Sequence, residues 1–258
     1  MRLSKVVNVT MLLAVPAALL VVHHLFTKQL RYSLVLFVQH PRPIPIFTSS
    51  FVHLSNEHLF ANLLGYSFGA LVTYLLCRRS DNLTWFRRTY VLLLFVLPLF
   101  TSSVNIATFY LFLPGRHVVT YGFSSIVAGF LGFLLAILSE MVSNRFSDEA
   151  AAYIITLIVS SIVMLLAVRY GRRSDLMLLG VPVFGLCFSL VGLASQTWPN
   201  TSPDVVLIVL IGAFCIGFAN LLFPPSPVTT NTNIFAHAGG VVGGLILAEA
   251  VRRRTAEV

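Results

Sequence analysis

Apolar runs of about 20 residues recur along this chain, and each is long enough to cross a hydrocarbon core of ~30 Å as a helix. Of the 258 residues, 57% are hydrophobic and only 10% are charged. Soluble domains carry about 25% charged residues, so this chain lacks the polar side chains that a water-exposed surface needs. The sequence therefore predicts a multi-pass integral membrane protein.

The apolar runs predict an all-α, polytopic membrane helical bundle that forms a single transmembrane domain over residues 1–258. Its even number of spans puts both chain ends on one side, and the basic residues of the connections favour the cytoplasmic side. The 27–56 connection is long for a free coil, so we expect it to be partly ordered and to lie at the membrane interface. The eight predicted spans are 7–26, 57–77, 90–112, 121–141, 151–169, 176–194, 204–223 and 234–251.

The net charge of +8 comes from basic residues in short connections and in the tail Arg252-Arg253-Arg254. This placement is typical of membrane topology and of contact with anionic headgroups, so the expected partner is the lipid bilayer and not nucleic acid. The cysteines show neither paired nor metal-ligand spacing, and the sequence predicts no disulfide framework, no metal and no cofactor. They are Cys77, Cys187 and Cys215.

Polar residues inside a span are costly in lipid, so each one is a candidate for function. The segment 53–62 carries His53, His58 and Asn62 into the second predicted span. His58 and Asn62 are four residues apart and therefore lie on the same side of a helix, one turn apart. They can be hydrogen-bond donors to a reacting group, or capping and packing groups at a helix end.

Ser124 opens the fourth predicted span, within the segment 121–129. A serine at a helix start is most often an N-cap. A helix start also offers free backbone N–H groups and the positive end of the helix dipole, and both stabilise an oxyanion. Small residues at three- and four-residue spacing follow and predict a thin face for close helix packing. They are Ser125, Gly129, Gly132 and Ala136.

His237 lies in the segment 236–244 of the last predicted span, and two overlapping pairs of glycines follow it. Such pairs let a helix approach its partner almost backbone to backbone. A lone histidine in a span can be a structural hydrogen-bonding group, a proton-relay element or the base that activates a serine hydroxyl. The glycine pairs are Gly239/Gly243 and Gly240/Gly244.

Three motifs together resemble, in the same order, those of the rhomboid family of intramembrane serine proteases. They are His-x4-His-x3-Asn over 53–62, Gly-x-Ser over 122–124 and Ala-His-x-Gly-Gly-x2-Gly from 236. The resemblance extends from the second predicted span to the last and implies a rhomboid-like core. It implies Ser124 as nucleophile, His237 as general base, His58 and Asn62 as the oxyanion hole, and His53, Gly122 and Gly240 as structural residues near the site.

By this resemblance the chain is expected to be an intramembrane serine endopeptidase with a Ser-His dyad. Its partners would be transmembrane protein substrates, cut near the outer or luminal membrane face where water is available. The alternative is a catalytically inactive rhomboid-like protein that binds transmembrane clients for trafficking or quality control. A transporter or proton channel would predict carboxylates deep inside spans, whereas Asp and Glu lie here at span ends or in connections.

Three features depart from the family pattern. Ser125 stands where the family usually has glycine, and Ala128 where it often has an aromatic residue packed on the catalytic histidine. We expect Ser125 to narrow the oxyanion site and Ala128 to loosen the packing of the catalytic histidine. Both changes bear more on the catalytic rate than on whether the chain is a catalyst of this kind. The family core has six spans, and we interpret the additional two as an insertion within 151–223. Ser124 and His237 both lie near the start of their spans, so they enter from the same membrane face only if an odd number of spans lies between them. Three spans meet this condition, as one span does.

Overall fold

The computed structural model describes residues 2–112, 118–171, 176–196, 203–223 and 233–256. Apart from two short strands and a 3₁₀ turn at Ser49–Phe51, the regular structure in these ranges is α-helical. The helices are α1 (Arg2–Leu25), α2 (Lys28–Ser33), α3 (Pro43–Thr48), α4 (Asn56–Arg79), α5 (Leu83–Phe95), α6 (Leu97–Phe112), α7 (Ser124–Arg145), α8 (Asp148–Tyr170), α9 (Leu176–Ala194), α10 (Pro203–Leu222) and α11 (Ile234–Ala256).

Six of the described helices are long and apolar enough to cross a membrane, namely α1, α4, α7, α8, α10 and α11. Helices α5 and α6 meet the same criteria only as a bent pair, and α9 counts as a shorter apolar helix over its part Leu179–Ala194. The chain is therefore a multi-pass helical membrane protein, as predicted. A helix stands at each of the eight predicted positions, while eight complete crossings and a rhomboid-like core stay predictions.

The structure divides the run predicted over 90–112 into two helices that meet at Val96 with an angle of 43°. Pro98 stands two residues after the break. Its ring lacks an N–H and clashes with the carbonyl four residues earlier, so it interrupts a continuous helix but is tolerated in the first turn of a new one. The proline therefore explains why α6 starts a new direction at this point.

The 27–56 connection is ordered, which confirms the partial order predicted for it. It contains α2, α3 and strand β1 (Leu36–Phe37), and β1 pairs in antiparallel fashion with β2 (Val119–Thr120). Leu36 lies opposite Thr120 in this pairing and is fully buried. The connection is thereby tied to the segment that leads into α7.

The chain forms two compact units by its own contacts, one of Met1–Phe133 with Asn233–Val258 and one of Leu134–Thr232. In the first, α11 packs on α5 and α6, and α4 packs on α1 and α5; in the second, α8 packs on α9 and α10. The motifs 53–62, 121–129 and 236–244 all belong to the first unit. The single domain and the two-helix insertion remain predictions.

Two buried tyrosines compensate for a proline inside α1. Pro16 has no N–H, so the carbonyl of Leu12, four residues earlier, lacks its usual helical donor. The Tyr66 hydroxyl of α4 lies 3.0 Å from the Leu12 oxygen, and the Tyr90 hydroxyl of α5 lies 2.5 Å from the Met11 oxygen. The two hydroxyl oxygens are 2.6 Å apart. The pair thus supplies donors where lipid supplies none.

Candidate active site

Helices α7 and α11 lie with their backbones in contact. A Cβ added at Gly240 would collide with the Ser125 carbonyl oxygen, and one added at Gly244 would collide with the Gly129 carbonyl oxygen. Gly132 makes the same close approach to the α11 backbone near Val241. The contact advances along both helices in the same sense, so they are parallel. The small-residue faces predicted for these two helices therefore meet, and the close packing is confirmed.

Ser124 and His237 lie near the N-terminal ends of these two parallel helices. Ala128 is one turn after Ser124 on the same side of α7, and Gly240 is one turn after His237 on the same side of α11. The Ala128 Cβ lies 2.9 Å from the position that a Cβ at Gly240 would take. Both candidate residues are thus one turn N-terminal to the same contact. His237 is buried, whereas Ser124 is half-buried.

Gly122 lies in the sharp turn that leads into α7. Its φ of +104° is a conformation that other L residues rarely adopt. A Cβ at this position would also collide with the imidazole ring of His58. The Gly122 N–H donates to the carbonyl oxygen of Ser49 at 2.9 Å. Both backbone conformation and space therefore require glycine here, two residues before Ser124.

His53 accepts a hydrogen bond from the backbone directly before Ser124. The Phe123 N–H donates to His53 Nε2 at 3.3 Å, and Asn62 Nδ2 lies 2.9 Å from the same atom. A backbone N–H can only donate, so Nε2 carries a lone pair and the ring proton is on Nδ1. Burial, with smaller contributions from neighbouring basic groups, lowers the pKa of His53 from 6.5 to about 3. A neutral ring suits this accepting role.

His58 and Asn62, the predicted oxyanion-hole residues, lie beside the turn before Ser124. His58 is in the first turn of α4, and its ring makes edge contacts with His53 and Tyr121 at centroid distances of 5.2 and 5.5 Å. The buried Asn62 amide donates one hydrogen to His53 and keeps a second. The structure thus brings His53, His58, Asn62 and Gly122 together.

The two residues that depart from the family pattern both have packing partners. The Ser125 hydroxyl accepts a hydrogen bond from Thr101 of α6 at 3.4 Å, and Ser125 is buried. The small methyl group of Ala128 faces Gly240, where a large aromatic side chain would meet the α11 backbone. The close approach of α7 and α11 thus accounts for alanine at position 128.

The start of α11 is attached to α6 by a pair of asparagines. Asn233 Oδ1 accepts the Ala236 N–H at 3.1 Å, which makes Asn233 an N-cap. Its Nδ2 donates to Asn105 Oδ1 of α6, also at 3.1 Å. This attachment lies one turn before His237. Sequence reasoning missed it, although an asparagine directly before an apolar helix is a recognisable cap signal.

A polar cluster on the far side of His53 was also missed. Arg31 donates to the His53 carbonyl oxygen at 2.6 Å and to His23 Nδ1 at 2.9 Å. His23 Nε2 lies 2.7 Å from Asn56 Oδ1. The sequence contains a signal for this cluster, because His23 is an ionisable residue inside the predicted span 7–26. Like His58, it is a polar residue in a span and therefore a candidate for function.

In the part of the chain that the structure describes, no group of three or more His, Cys, Asp or Glu side chains could hold a metal ion. The three cysteines are free.

No protein-family model matches this chain, and comparisons with curated proteins and with solved structures give no match either. The assignment as a multi-pass helical membrane protein therefore rests on the helices, and the resemblance to rhomboid proteases rests on the motif residues alone.

Proposed function

We propose that this chain is an intramembrane serine endopeptidase that uses Ser124 as nucleophile and His237 as general base. The observation that carries the proposal is the backbone contact between α7 and α11. It places both residues near the same ends of parallel helices, each one turn before the contact of Ala128 with Gly240. In this proposal His237 takes the serine proton, because a hydroxyl is a weak nucleophile until a base removes its proton.

The proposed reaction follows the acyl-transfer sequence of a serine protease. As Ser124 attacks the peptide carbonyl, His237 takes its proton and then gives it to the leaving amine. Water, activated by the same histidine, hydrolyses the acyl-enzyme and restores the serine. A peptide bond that reaches a site on two membrane helices has to share the bilayer with them, so the proposed substrates are transmembrane proteins.

Stabilisation of the oxyanion has two sources of donors in this proposal. Because α7 begins at Ser124, the N–H groups of Ser124 and Ser125 lack partners within the helix and lie at the positive end of its dipole. The next two N–H groups donate to the Phe123 carbonyl oxygen and are not available. The His58 ring and the second Asn62 amide hydrogen would donate from the side of α4. Loss of one such donor typically costs about 10²–10³-fold in rate.

The proposal is tested by labelling the purified protein with a fluorophosphonate probe, which forms a covalent bond with an activated serine. We expect labelling of the wild type and none of Ser124→Ala or His237→Ala. Ser103→Ala is the matched control, because Ser103 is exposed and donates to Leu99 of its own helix; it should label like the wild type.

Equal labelling of the wild type and Ser124→Ala would overturn the assignment of the nucleophile. A wild type that binds transmembrane proteins but neither labels nor cleaves would instead favour the inactive client-binding protein.

A further inference from the structure

We infer that Arg31, in helix α2 of the connection after α1, is a positioning residue for the proposed active site. It holds the backbone of His53, and His53 in turn holds the turn before Ser124 and the side chain of Asn62. The inference rests on the proposed function for its catalytic consequence. Its structural consequence, a link between α2 and the turn before α7, can be measured separately.

The first step of the link is the pair of hydrogen bonds from Arg31. Its NH1 group donates to the His53 carbonyl oxygen at 2.6 Å and to His23 Nδ1 at 2.9 Å. A guanidinium has no acceptor, so the bond from Arg31 needs a lone pair on His23 Nδ1, which also lies 3.2 Å from the His53 carbonyl oxygen, and puts the ring proton on Nε2. That proton points to Asn56 Oδ1, 2.7 Å away. Side chains from α1, α2 and α4 thus form one series of hydrogen bonds that ends at the His53 carbonyl group.

The second step leads from His53 to the residues of the site. Its Nε2 accepts the Phe123 N–H at 3.3 Å, and Phe123 is the neighbour of Ser124 in the chain. The same nitrogen lies 2.9 Å from the amide of Asn62. A shift of the His53 backbone therefore moves both the nucleophile and a proposed oxyanion donor. Displacements of about 1 Å can cost 10²-fold in rate.

A contribution to the stability of the fold does not by itself explain the contacts of Arg31. Its described contacts are with a carbonyl and an imidazole rather than with a carboxylate that would balance its charge. Its Nε atom is buried and has no hydrogen-bond partner in the part of the chain that the structure describes. Such an orphaned donor costs free energy. Locally unfavourable arrangements of this kind are expected at functional sites.

The same connection offers a matched control in Arg42. Its NH2 group donates to the Ser33 carbonyl oxygen at 2.8 Å, at the end of α2. Arg42 is thus a second arginine that bonds a backbone carbonyl within the 27–56 connection, but its described bond does not reach His53. Replacing it removes an equal charge and a similar hydrogen bond without breaking the link to Phe123.

The catalytic test compares the kinetics of fluorophosphonate labelling in Arg31→Gln, Arg31→Lys and Arg42→Gln. We expect Arg31→Gln to lower the maximal labelling rate about tenfold or more through misplacement of the nucleophile. The half-saturating probe concentration should stay the same, because the probe pocket is not altered. Arg31→Lys keeps one cationic donor and should recover part of the rate, and Arg42→Gln should match the wild type.

The structural test is hydrogen exchange of the peptide that contains Phe123. Arg31→Gln should exchange faster there than the wild type, and Arg42→Gln should not. Equal labelling rates and equal exchange in the two glutamine variants would overturn the inference. If Arg31→Gln fails to fold, as judged by gel filtration in detergent, the Arg31→Lys rate and exchange decide by the same criteria. A wild type that the probe does not label would refute the proposed function, while the exchange would still test the link.

Discussion

His53 joins the connection after α1 to the candidate active site. Its carbonyl oxygen receives Arg31, and its ring receives the Phe123 N–H and the Asn62 amide. The ring can accept in this way only while Nε2 is unprotonated. Burial lowers its pKa to about 3, so the ring stays neutral at physiological pH. The neutral ring can therefore accept the hydrogen bond from Phe123 at that pH.

Tyr66 offers a test of how the proline in α1 is tolerated. Tyr66→Phe should lower the free energy of unfolding by about 1 kcal/mol, because the Leu12 carbonyl loses its donor. The loss should shrink in a Pro16→Ala background, where residue 16 regains an N–H for that carbonyl. Unfolding in detergent over this double-mutant cycle measures the coupling.

The control for the cycle is Tyr110→Phe, since Tyr110 is 79% exposed and its hydroxyl should not affect stability. A Tyr66→Phe cost that is unchanged by Pro16→Ala would contradict the explanation.

Helices α7 and α11 owe their parallel contact to the size of single side chains. Gly240 and Gly244 of α11 meet the carbonyls of Ser125 and Gly129 directly. Without a hydrophobic driving force between helices in lipid, such close packing is a main source of association. The same contact sets the register of His237 against Ser124, so packing and proposed chemistry depend on the same glycines.

Two adjacent glycines of α11 give a sharp prediction. Gly240→Ala should reduce fluorophosphonate labelling about 10²-fold, because the new Cβ pushes α11 away from Ser125 and displaces the proposed base. Gly239→Ala should leave labelling nearly unchanged, since a Cβ there meets Val104 at an ordinary distance of 3.5 Å.

Labelling rates and thermal unfolding of both glycine variants are the measurements. If the two variants label equally well, the α7–α11 contact does not control the site.

The order of helices along the chain has a consequence for topology. The parallel contact requires α7 and α11 to start on the same side of the membrane, so an odd number of crossings must connect them. Helices α8 and α10 each meet the criteria for a span, while α9 is shorter and contains Pro182. Two crossings would return the chain to the wrong side. We therefore expect α9 to cross as well.

Single cysteines at the two ends of α9 test this crossing. Tyr170→Cys, at the end of α8, and Gln196→Cys, directly after α9, should react with a membrane-impermeant maleimide from opposite sides of sealed vesicles in a background without the three native cysteines. Lys28→Cys and Arg254→Cys serve as references for the two sides. Labelling of positions 170 and 196 from the same side would show that α9 does not cross.

Several features could be predicted from the sequence because they depend on local physics. A backbone in lipid must satisfy its own hydrogen bonds, so long apolar runs predict membrane helices. Glycines at four-residue spacing predict a close helix contact because they lie on one face. The presence of helix at each of the eight predicted runs and the packing faces of α7 and α11 follow from these rules. The break at Val96 does not follow from the length of the apolar run, because it depends on Pro98, which cannot continue the preceding helix.

The contacts around His53 depend on the tertiary structure. Arg31 and Phe123 are far from His53 in the sequence, and hydropathy does not encode which connections approach each other. The contact of Gly122 with His58 and the pairing of β1 with β2 likewise join segments that are far apart in the sequence. The apolar runs thus determined a helical membrane protein with three polar motifs. Only helix register and loop pairing decided which of those polar groups meet, because hydrogen bonds and close contacts require positions that spacing along the chain does not specify.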